Sequence, residues 1–579
     1  MTNTHNNINK FSSQNKRELL AKLLQEKVEQ PHIFPMSFTQ QRLWFIEQLQ
    51  PGNFANHIRT ALRLVGSLNK AALLQTLNEI LRRHEVLRTT FATIEGKPVQ
   101  VIIPNLSLGL PTINLEELTG VEQEAEIHKL VTQEVQQPFD LSQAPLLRAT
   151  LLRLKETEHI LVFTMHHIIF DGWSIGVLVK EVTALYEAFS KCQPSPLAEL
   201  PIQYVDFASW QRQKLQGEVL KSQISYWKQQ LEGVPQLLEL PTDKPRPAVS
   251  RFHGATYSFE LSHELHMALK KLSQQKGNTL FISFLAVFKT LLYQYTNSED
   301  IVIGSPIVNR DRIELEGLIG LFANTIALRT NLADNPTFEE LLTRVRKVAL
   351  GANAHQNLPF EQLVEELQPQ RSLSYTPVFQ VMFILQNTPI SVLKLPGLTI
   401  SPFAIKNGSA KFDLILEITE TAGKLFANLE FNTDLFEPVT IKRMAGHFQT
   451  LLKEIIANPK LRLSELSLLT ESEQHQLLVQ WNNTEVEYPL VCIHKLFEAQ
   501  VEKTPNAIAV VFEDQQLTYW ELNAKANKLA HHLRSLEVKP EVLVGICVER
   551  SLDMVIGLLA ILKAGGAYVP LDPNYPQER

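Results

Sequence analysis

Two adjacent histidines, an acid and a glycine occur within seven residues, at positions 166–172 (HHIIFDG). An imidazole can accept a proton or a hydrogen bond near neutral pH, and a carboxylate one turn away can anchor the loop that holds it. Three chemistries could use His166, His167 and Asp171: a metal site, a serine hydrolase built on the serine that follows, and a single histidine acting on its substrate.

The flanking sequence predicts that these residues join a strand to a helix. Residues 159–165 form a nearly continuous apolar run rich in β-branched and aromatic side chains, as in a buried strand. Beyond the glycine, Ser174 is placed to cap a helix. Apolar residues then recur at the steps of one helix face, at Ile175, Leu178, Val182, Leu185 and Phe189. Functional side chains are often presented at such junctions.

Spacing separates the three chemistries. Successive side chains on a strand point to opposite faces, so His166 and His167 reach one metal ion only if the backbone turns between them. Residues 172–176 (GWSIG) match the G-x-S-x-G elbow with Ser174 as nucleophile, but a hydrolase serine directly follows its strand and its base lies far downstream. The spacing favours the third chemistry, in which His167 faces a cavity and Asp171 holds the local structure.

The composition describes an ordinary globular protein with no nucleic-acid or membrane partner. The 579 residues are 44% hydrophobic and 20% charged, with a net charge of −6, which is no electrostatic footprint for nucleic acid. The longest apolar stretch near the end, residues 554–562, is too short to span a bilayer. The three cysteines make no disulfide or zinc pattern and the polar N-terminus has no signal-peptide core, so we expect a cytoplasmic protein of three or four compact units.

The segment HHIIFDG resembles the HHxxxDG signature of the condensation domains of nonribosomal peptide synthetases, relatives of chloramphenicol acetyltransferase. From about residue 31 to 470, further stretches resemble the other motifs of that family in the family's order. They are residues 37–44 (SFTQQRLW), 83–91 (RHEVLRTTF), 204–210 (YVDFASW), 304–306 with 319–325 (GSP and IGLFANT), 355–361 (HQNLPFE) and, loosely, 375–381 (YTPVFQV). The amino-acid sequence of the first motif is typical of domains that join two L-configured residues.

The resemblance implies an α/β fold with two acetyltransferase-like sandwich lobes in a V-shaped pseudo-dimer, formed by residues 31–230 and 231–470. It also implies a tunnel between the lobes with His167 near its middle, and a loop between Gly304 and Gly320 that reaches from the second lobe to the first and floors the tunnel. The alternation of predicted helices and strands in the second half independently favours an α/β sandwich.

The same resemblance implies a mechanism. Donor and acceptor carrier proteins insert phosphopantetheine arms from opposite faces, and the acceptor amine attacks the donor thioester. His167, with His166 beside it, removes the amine's proton or only orients the amine. The backbone N–H of Gly172 is the candidate donor to the developing oxyanion. The chain is expected to bind no metal and no cofactor of its own.

Other residues are predicted to support this site. Asp171 is expected to be structural, held by a bidentate arginine, either Arg83 or Arg88. Three polar residues are candidates for lining the tunnel: Ser37, Ser174 and Asn324. For Ser37 a helix cap is a second interpretation, and for Asn324 a turn cap is at least as good.

Related activities give several alternatives. One is a starter domain, which attaches an acyl group to the first amino acid. We expect the domain to be the first of its polypeptide, so its donor would arrive on another synthetase chain or as an acyl-CoA. The pair His166 and His167 disfavours a heterocyclising domain, and no second histidine motif indicates a dual epimerising domain. An epimerase, a serine hydrolase using Ser174 and a non-catalytic remnant or docking platform stay open.

The two ends of the sequence differ from the middle. Residues 1–30 are predicted to be an extension with a candidate docking helix, and residues 471–493 a polar linker. Residues 494–579 resemble the start of an adenylation domain, with its first two motifs at 517–522 (LTYWEL) and 562–572 (LKAGGAYVPLD). Within them we expect a buried strand over residues 542–548, a helix cap at Ser551 and a helix stop at Gly565 and Gly566. The glycine-rich phosphate loop that the family places next is missing, so we expect a truncated synthetase or a fragment of a longer one without adenylation activity.

Overall fold

The computed structural model describes residues 31–49, 51–52, 54–370, 372–386, 393–403, 408–421, 423–576 and 578. The chain divides into two compact units, one ending at Glu473 and the other beginning at Gln474. The predicted docking helix in residues 1–30 lies outside the described residues. The predicted domain boundaries after residues 30, 230, 470 and 493 stay predictions.

Three sheets make up the framework of the first unit. Its strands are β1 (His32–Pro35), β2 (His57–Gly66), β3 (Thr89–Ile94), β4 (Lys97–Ile102), β5 (Thr112–Asn114), β6 (Leu147–Lys155), β7 (Glu158–His166), β8 (Gly254–Leu261), β9 (Asp300–Ile307), β10 (Asn324–Asn331), β11 (Val381–Gln386), β12 (Leu398–Pro402), β13 (Leu414–Thr421) and β14 (Lys424–Asn432). Their orders are β1-β4-β3, β12-β2-β7-β6-β5 and β10-β9-β11-β13-β14-β8.

Helices cover the two larger sheets. Those of residues 38–214 and the five-stranded sheet form the N-lobe: Phe38–Leu49, Lys70–Arg83, Gly120–Gln136, Gly172–Ser190 and Tyr204–Lys214. The helix Gly217–Leu231 packs in the C-lobe core through Trp227 and Leu231. With it, the six-stranded sheet and five further helices form the C-lobe: His263–Gln275, Leu280–Thr296, Phe338–Ala354, Phe360–Leu367 and Pro438–Ala457. The short helix Ile313–Glu316 lies in the loop between β9 and β10. Two α/β lobes are therefore present, as predicted.

Strand β7 lies between two apolar cores, because successive side chains of a strand point to opposite faces. One core lies against the helix Gly172–Ser190 and includes Leu161, Phe163 and Met165. The other includes Ile160 and Val162 and lies against the helix Gly120–Gln136. Burial on both faces produces the continuous apolar run from which the strand was predicted.

Two segments of the C-lobe cross to the N-lobe. Between β9 and β10, residues 308–323 form the crossover loop, and four of its apolar side chains join the N-lobe core: Leu315, Leu318, Ile319 and Phe322. Further along, β12 pairs antiparallel with β2 and forms an edge of the N-lobe sheet. The predicted loop from the second lobe to the first is thus observed, while its role as the floor of a tunnel stays a prediction.

The second unit consists of helices and two small sheets. Its helices are Ile493–Lys503, Tyr519–Ser535 and Leu552–Ala564, and its strands are β15 (Ile508–Phe512), β16 (Gln515–Thr518), β17 (Leu543–Ile546) and β18 (Ala567–Pro570). Ser551 caps the last helix and Gly565, at a φ of 97°, ends it, as predicted. The prediction of a buried strand over residues 542–548 is wrong. Strand β17 is shorter and half-exposed, because among the described residues it pairs with β18 alone.

No helix among the described residues has the length and apolar character needed to cross a membrane.

Gly320 in the crossover loop has no room for a side chain. A Cβ there would overlap the ring of Tyr204, whose hydroxyl is held by bonds to Ser37 Oγ at 2.9 Å and Leu321 O at 2.7 Å. We expect Gly320→Ala to lower the free energy of unfolding by about 1–3 kcal/mol, measured by urea denaturation. Gly317→Ala is the control, since in the part of the chain that the structure describes no atom lies within 4 Å of the position that a Cβ would take there. Equal losses in both variants would contradict this prediction.

Candidate active site

A tight turn separates the two histidines. Strand β7 ends at His166, and residues His167–Ile169 form one 3-10 turn before the helix Gly172–Ser190 begins. The N–H of Ile168 donates to Nδ1 of His166 at 3.1 Å, which caps the turn. On its other side, the Gln40 side chain donates to the Ile168 carbonyl oxygen at 3.4 Å. The backbone therefore turns between the histidines, and their rings enter different surroundings.

His166 points into the protein. It is 1% exposed, and its Nδ1 is occupied by the bond from Ile168. Burial lowers the pKa of this ring, so it is neutral at pH 7. This position corrects the prediction that His166 acts on the substrate, because a ring that is buried and capping the turn cannot face the reacting groups.

His167 is partly exposed and is the histidine available to a ligand. Its Nδ1 is itself buried and has no hydrogen-bond partner among the described residues. Burial and, as the second cause, the positive charge of Lys411 from the C-lobe together lower the pKa of His167 to about 4. The imidazole is therefore neutral at physiological pH, with lone-pair capacity to accept a hydrogen bond.

Asp171 is buried and connects the N-lobe to the crossover loop. One carboxylate oxygen accepts the Ser174 N–H at 2.9 Å and so caps the helix. The other accepts the N–H groups of Phe322 at 3.0 Å and Ala323 at 3.3 Å. The guanidinium of Arg310 bonds both oxygens, at 3.2 and 3.4 Å. The predicted structural role of Asp171 agrees with this geometry, whereas the predicted helix cap by Ser174 is wrong.

The predicted arginine partners of Asp171 are wrong. Arg83 pairs with Glu181 at 3.1 Å, and Arg88 donates to the Ile103 carbonyl at 2.8 Å and approaches Glu85 at 3.4 Å. The true partner is 139 residues away in sequence and comes from the other lobe. The sequence nonetheless contained a signal for this partner, since Arg310 lies in the stretch that was predicted to cross to the first lobe.

The structure also corrects the three residues predicted to line a tunnel. Ser174 is completely buried, and its hydroxyl donates to Asp171 at 2.7 Å and accepts from Gly320 N at 3.1 Å and Arg310 at 3.2 Å. Ser37 is 1% exposed and caps its helix by accepting the Gln40 N–H at 3.1 Å, which confirms its second interpretation.

Asn324 is buried and connects two C-lobe segments. Its amide nitrogen donates to the carbonyls of Gln356 at 2.9 Å and Leu358 at 2.7 Å. Its amide oxygen accepts the N–H of Phe360 at 3.0 Å. With these bonds made, the side chain holds the loop before the helix Phe360–Leu367 rather than facing a ligand.

Gly172 opens the helix that follows the turn. It is the first helical residue and is exposed, and no atom of the described residues lies within 4 Å of the position a Cβ would take. N–H groups in the first turn of a helix have no partner within the helix and lie at the positive end of its dipole. The geometry therefore permits the predicted donation from Gly172 to a developing negative charge.

Comparison with known proteins defines the class. Residues 30–478 match the condensation domain family, and residues 497–579 match the AMP-binding enzyme family. Since the first match covers well over half of the 579 residues, the chain belongs to the condensation domain family.

Its relatives are peptide synthetases. Linear gramicidin synthase subunits D and B from Brevibacillus parabrevis are 49% and 50% identical to the chain over 96% and 94% of its length. The chain spans 11% of the length of each. Malpinin synthetase from Mortierella alpina is 45% identical over 95% of the chain and 7% of its own length.

Solved structures agree with this assignment. A holo four-domain nonribosomal peptide synthetase bound to AMP and glycine has a TM-score of 0.83 and 25% identity, over 95% of this chain and 42% of that one. The X-domain of teicoplanin biosynthesis, solved with OxyB, has a TM-score of 0.69 and 29% identity over 76% and 97% of the two chains. The chain is thus a condensation domain of a nonribosomal peptide synthetase, followed by part of an AMP-binding region. The predicted family and α/β fold class are confirmed.

Removing the arginine of the buried pair should destabilise the first unit. Arg310→Met leaves Asp171 charged and buried without its cation, which costs about 3–5 kcal/mol of unfolding free energy. Urea denaturation followed by tryptophan fluorescence measures this loss. Arg312→Met is the control, because Arg312 is exposed in the same loop. A loss below about 1 kcal/mol for Arg310→Met would contradict a structural role for the pair.

Removing the charge of Lys411 should raise the pKa of His167. A positive neighbour disfavours protonation of the imidazole, so Lys411→Met moves the pKa upward from about 4 towards 6.5. The shift is partial because burial, the larger cause, stays. NMR titration of histidine ring signals, assigned with His167→Ala, measures it. Lys411→Arg keeps the charge and should leave the pKa low, and an unchanged pKa in Lys411→Met would contradict the coupling.

Proposed function

We propose that this chain forms an amide bond between two carrier-bound substrates, with His167 as the catalytic residue. The observation that carries the proposal is the partly exposed, neutral imidazole of His167, held on a turn directly before the N–H groups of a helix start. A hydrogen-bond acceptor for an amine and donors for an oxyanion are thus neighbours in the chain.

The reaction would proceed by attack of the acceptor amine on the donor thioester. The C–N bond forms as His167 accepts a hydrogen bond from the amine N–H, while the Gly172 N–H donates to the carbonyl oxygen that becomes negative. Collapse of the tetrahedral intermediate breaks the C–S bond, and the proton lost by nitrogen ends on the departing thiolate. A thioester is already activated, so alignment of the reactants supplies much of the rate.

The low pKa of His167 favours orientation over full proton transfer. A general base works best with a pKa near the working pH, and a pKa of about 4 makes the imidazole a weak base at pH 7. We propose that His167 mainly orients the amine lone pair toward the thioester carbon.

The partners would be donor and acceptor carrier proteins, each bringing a phosphopantetheine arm. The synthetase relatives support this proposal, and the first motif supports the type that joins two L-configured residues. The N-lobe and C-lobe, residues 31–230 and 231–470, would form the tunnel, and the linker at 471–493 would lead to the AMP-binding residues. Residues 494–579 contain no glycine-rich phosphate loop, so we propose that they alone do not activate an amino acid.

The serine hydrolase alternative is disfavoured by the position of Ser174. A nucleophile needs a base in bonding range and access to substrate. The Ser174 hydroxyl is instead completely buried and bonded to an acid, an arginine and the crossover loop.

Product formation from loaded donor and acceptor carriers tests the proposal. We expect His167→Ala to lower kcat by about a hundredfold or more. His128→Ala, an exposed histidine of the N-lobe, is the matched control and should keep full activity. Ser174→Ala should keep product formation in the folded fraction. Release of free acid by the native chain, abolished in Ser174→Ala, would overturn the proposal in favour of a hydrolase, and turnover only with an acyl-CoA donor would identify a starter domain.

A further inference from the structure

Two buried polar atoms face each other behind the 3-10 turn His167–Ile169, here called the active-site turn. Oε2 of Glu47 lies 3.9 Å from Nε2 of His166, and neither atom has a hydrogen-bond partner among the described residues. Both side chains are more than nine-tenths buried. At this separation the contact is an electrostatic attraction rather than a hydrogen bond.

The bond on the other side of the ring defines where the proton of His166 lies. Nδ1 accepts the Ile168 N–H, so it cannot carry a hydrogen itself. The neutral ring therefore has its proton on Nε2, the nitrogen that faces Glu47. In the other tautomer, the Nδ1–H of His166 would point at the Ile168 N–H and the cap of the turn would be lost.

A second contact holds the carboxylate of Glu47 in the position that favours the Nε2–H tautomer of His166. Its second oxygen accepts the N–H of Gly52 at 3.0 Å, just beyond the end of the helix Phe38–Leu49. The neighbouring His57 ring, 5.9 Å from that of His166, donates through Nδ1 to the Val135 carbonyl at 3.0 Å. Burial lowers the pKa of His57 to about 4, so this ring adds no charge at pH 7.

We propose that Glu47 is a positioning residue for the reaction: its carboxylate keeps the proton of His166 on Nε2, which leaves Nδ1 to cap the turn that presents His167. The inference deepens the proposed function and rests on it for the link to catalysis. The effect on the turn itself rests only on the geometry of Glu47, His166 and Ile168.

Glu47→Gln is the sharpest test because it keeps the shape of the side chain and replaces the acceptor oxygen that faces His166 Nε2 with a donor NH2 group. A glutamine that accepts from Gly52 presents its NH2 group to His166 Nε2, which favours Nε2 as an acceptor and moves the proton to Nδ1. We expect the 15N signals of His166 in selectively labelled protein to report this change of tautomer. We also expect kcat and kcat/KM to fall together by roughly ten- to a hundredfold, because the turn is misplaced.

Two further variants separate positioning from a general loss of stability. Glu158→Gln is the same substitution at the far end of β7, where Glu158 accepts from Arg63 at 2.8 Å, and it should leave tautomer and kcat unchanged. His166→Asn places an amide oxygen near the position of Nδ1, where it can cap the turn without a tautomer. In that background Glu47→Gln should cause no further loss of kcat.

The outcomes distinguish this inference from the proposed function. An Nδ1–H tautomer in the native protein overturns the inference, even if Glu47→Gln does not fold. Unchanged kcat in folded Glu47→Gln, or an equal loss in the His166→Asn background, overturns it as well. If the native chain makes no amide product but Glu47→Gln still changes the tautomer, the support of the turn by Glu47 stands and the proposed function fails.

Discussion

The buried carboxylate of Asp171 is the interaction on which the rest of the site depends. Removing a carboxylate from water is costly unless its lone pairs are all bonded, and Asp171 meets this requirement with a helix start, two loop N–H groups and a guanidinium. These partners come from both lobes. The bonds to the Asp171 carboxylate therefore hold the end of the active-site turn in place and attach the crossover loop to the N-lobe.

The two histidines have separate tasks because the chain turns between them. A continuous strand would place His166 and His167 on opposite faces, one in each core of the N-lobe. The 3-10 turn instead keeps the first ring inside as its cap and leaves the second partly exposed. Burial then keeps both rings neutral, since the charged imidazolium would be poorly solvated there.

Motif resemblance was most useful where the motif residues act locally. The strand, the turn region and the helix after it were predicted from apolar spacing, and the family and its fold class are confirmed. Side chains predicted to face a tunnel, such as Ser174 and Asn324, are bonded to backbone groups more than 30 residues away. A polar residue in or beside a family motif can either bond to the backbone and hold the fold or contact a ligand. Sequence spacing does not distinguish these two roles.

The sequence by itself determined the local elements, because apolar periodicity and turn residues act over a few positions: β7, the helix Gly172–Ser190 and the helix stop at Gly565 all follow from it. Only the tertiary structure decided which charges meet. Arg83 and Arg88 were reasonable partners for Asp171 by motif, yet burial of the crossover loop brings Arg310 to it across 139 residues. Likewise Glu47 reaches His166 only because the helix Phe38–Leu49 packs behind the turn, a pairing that depends on chain topology and not on sequence distance.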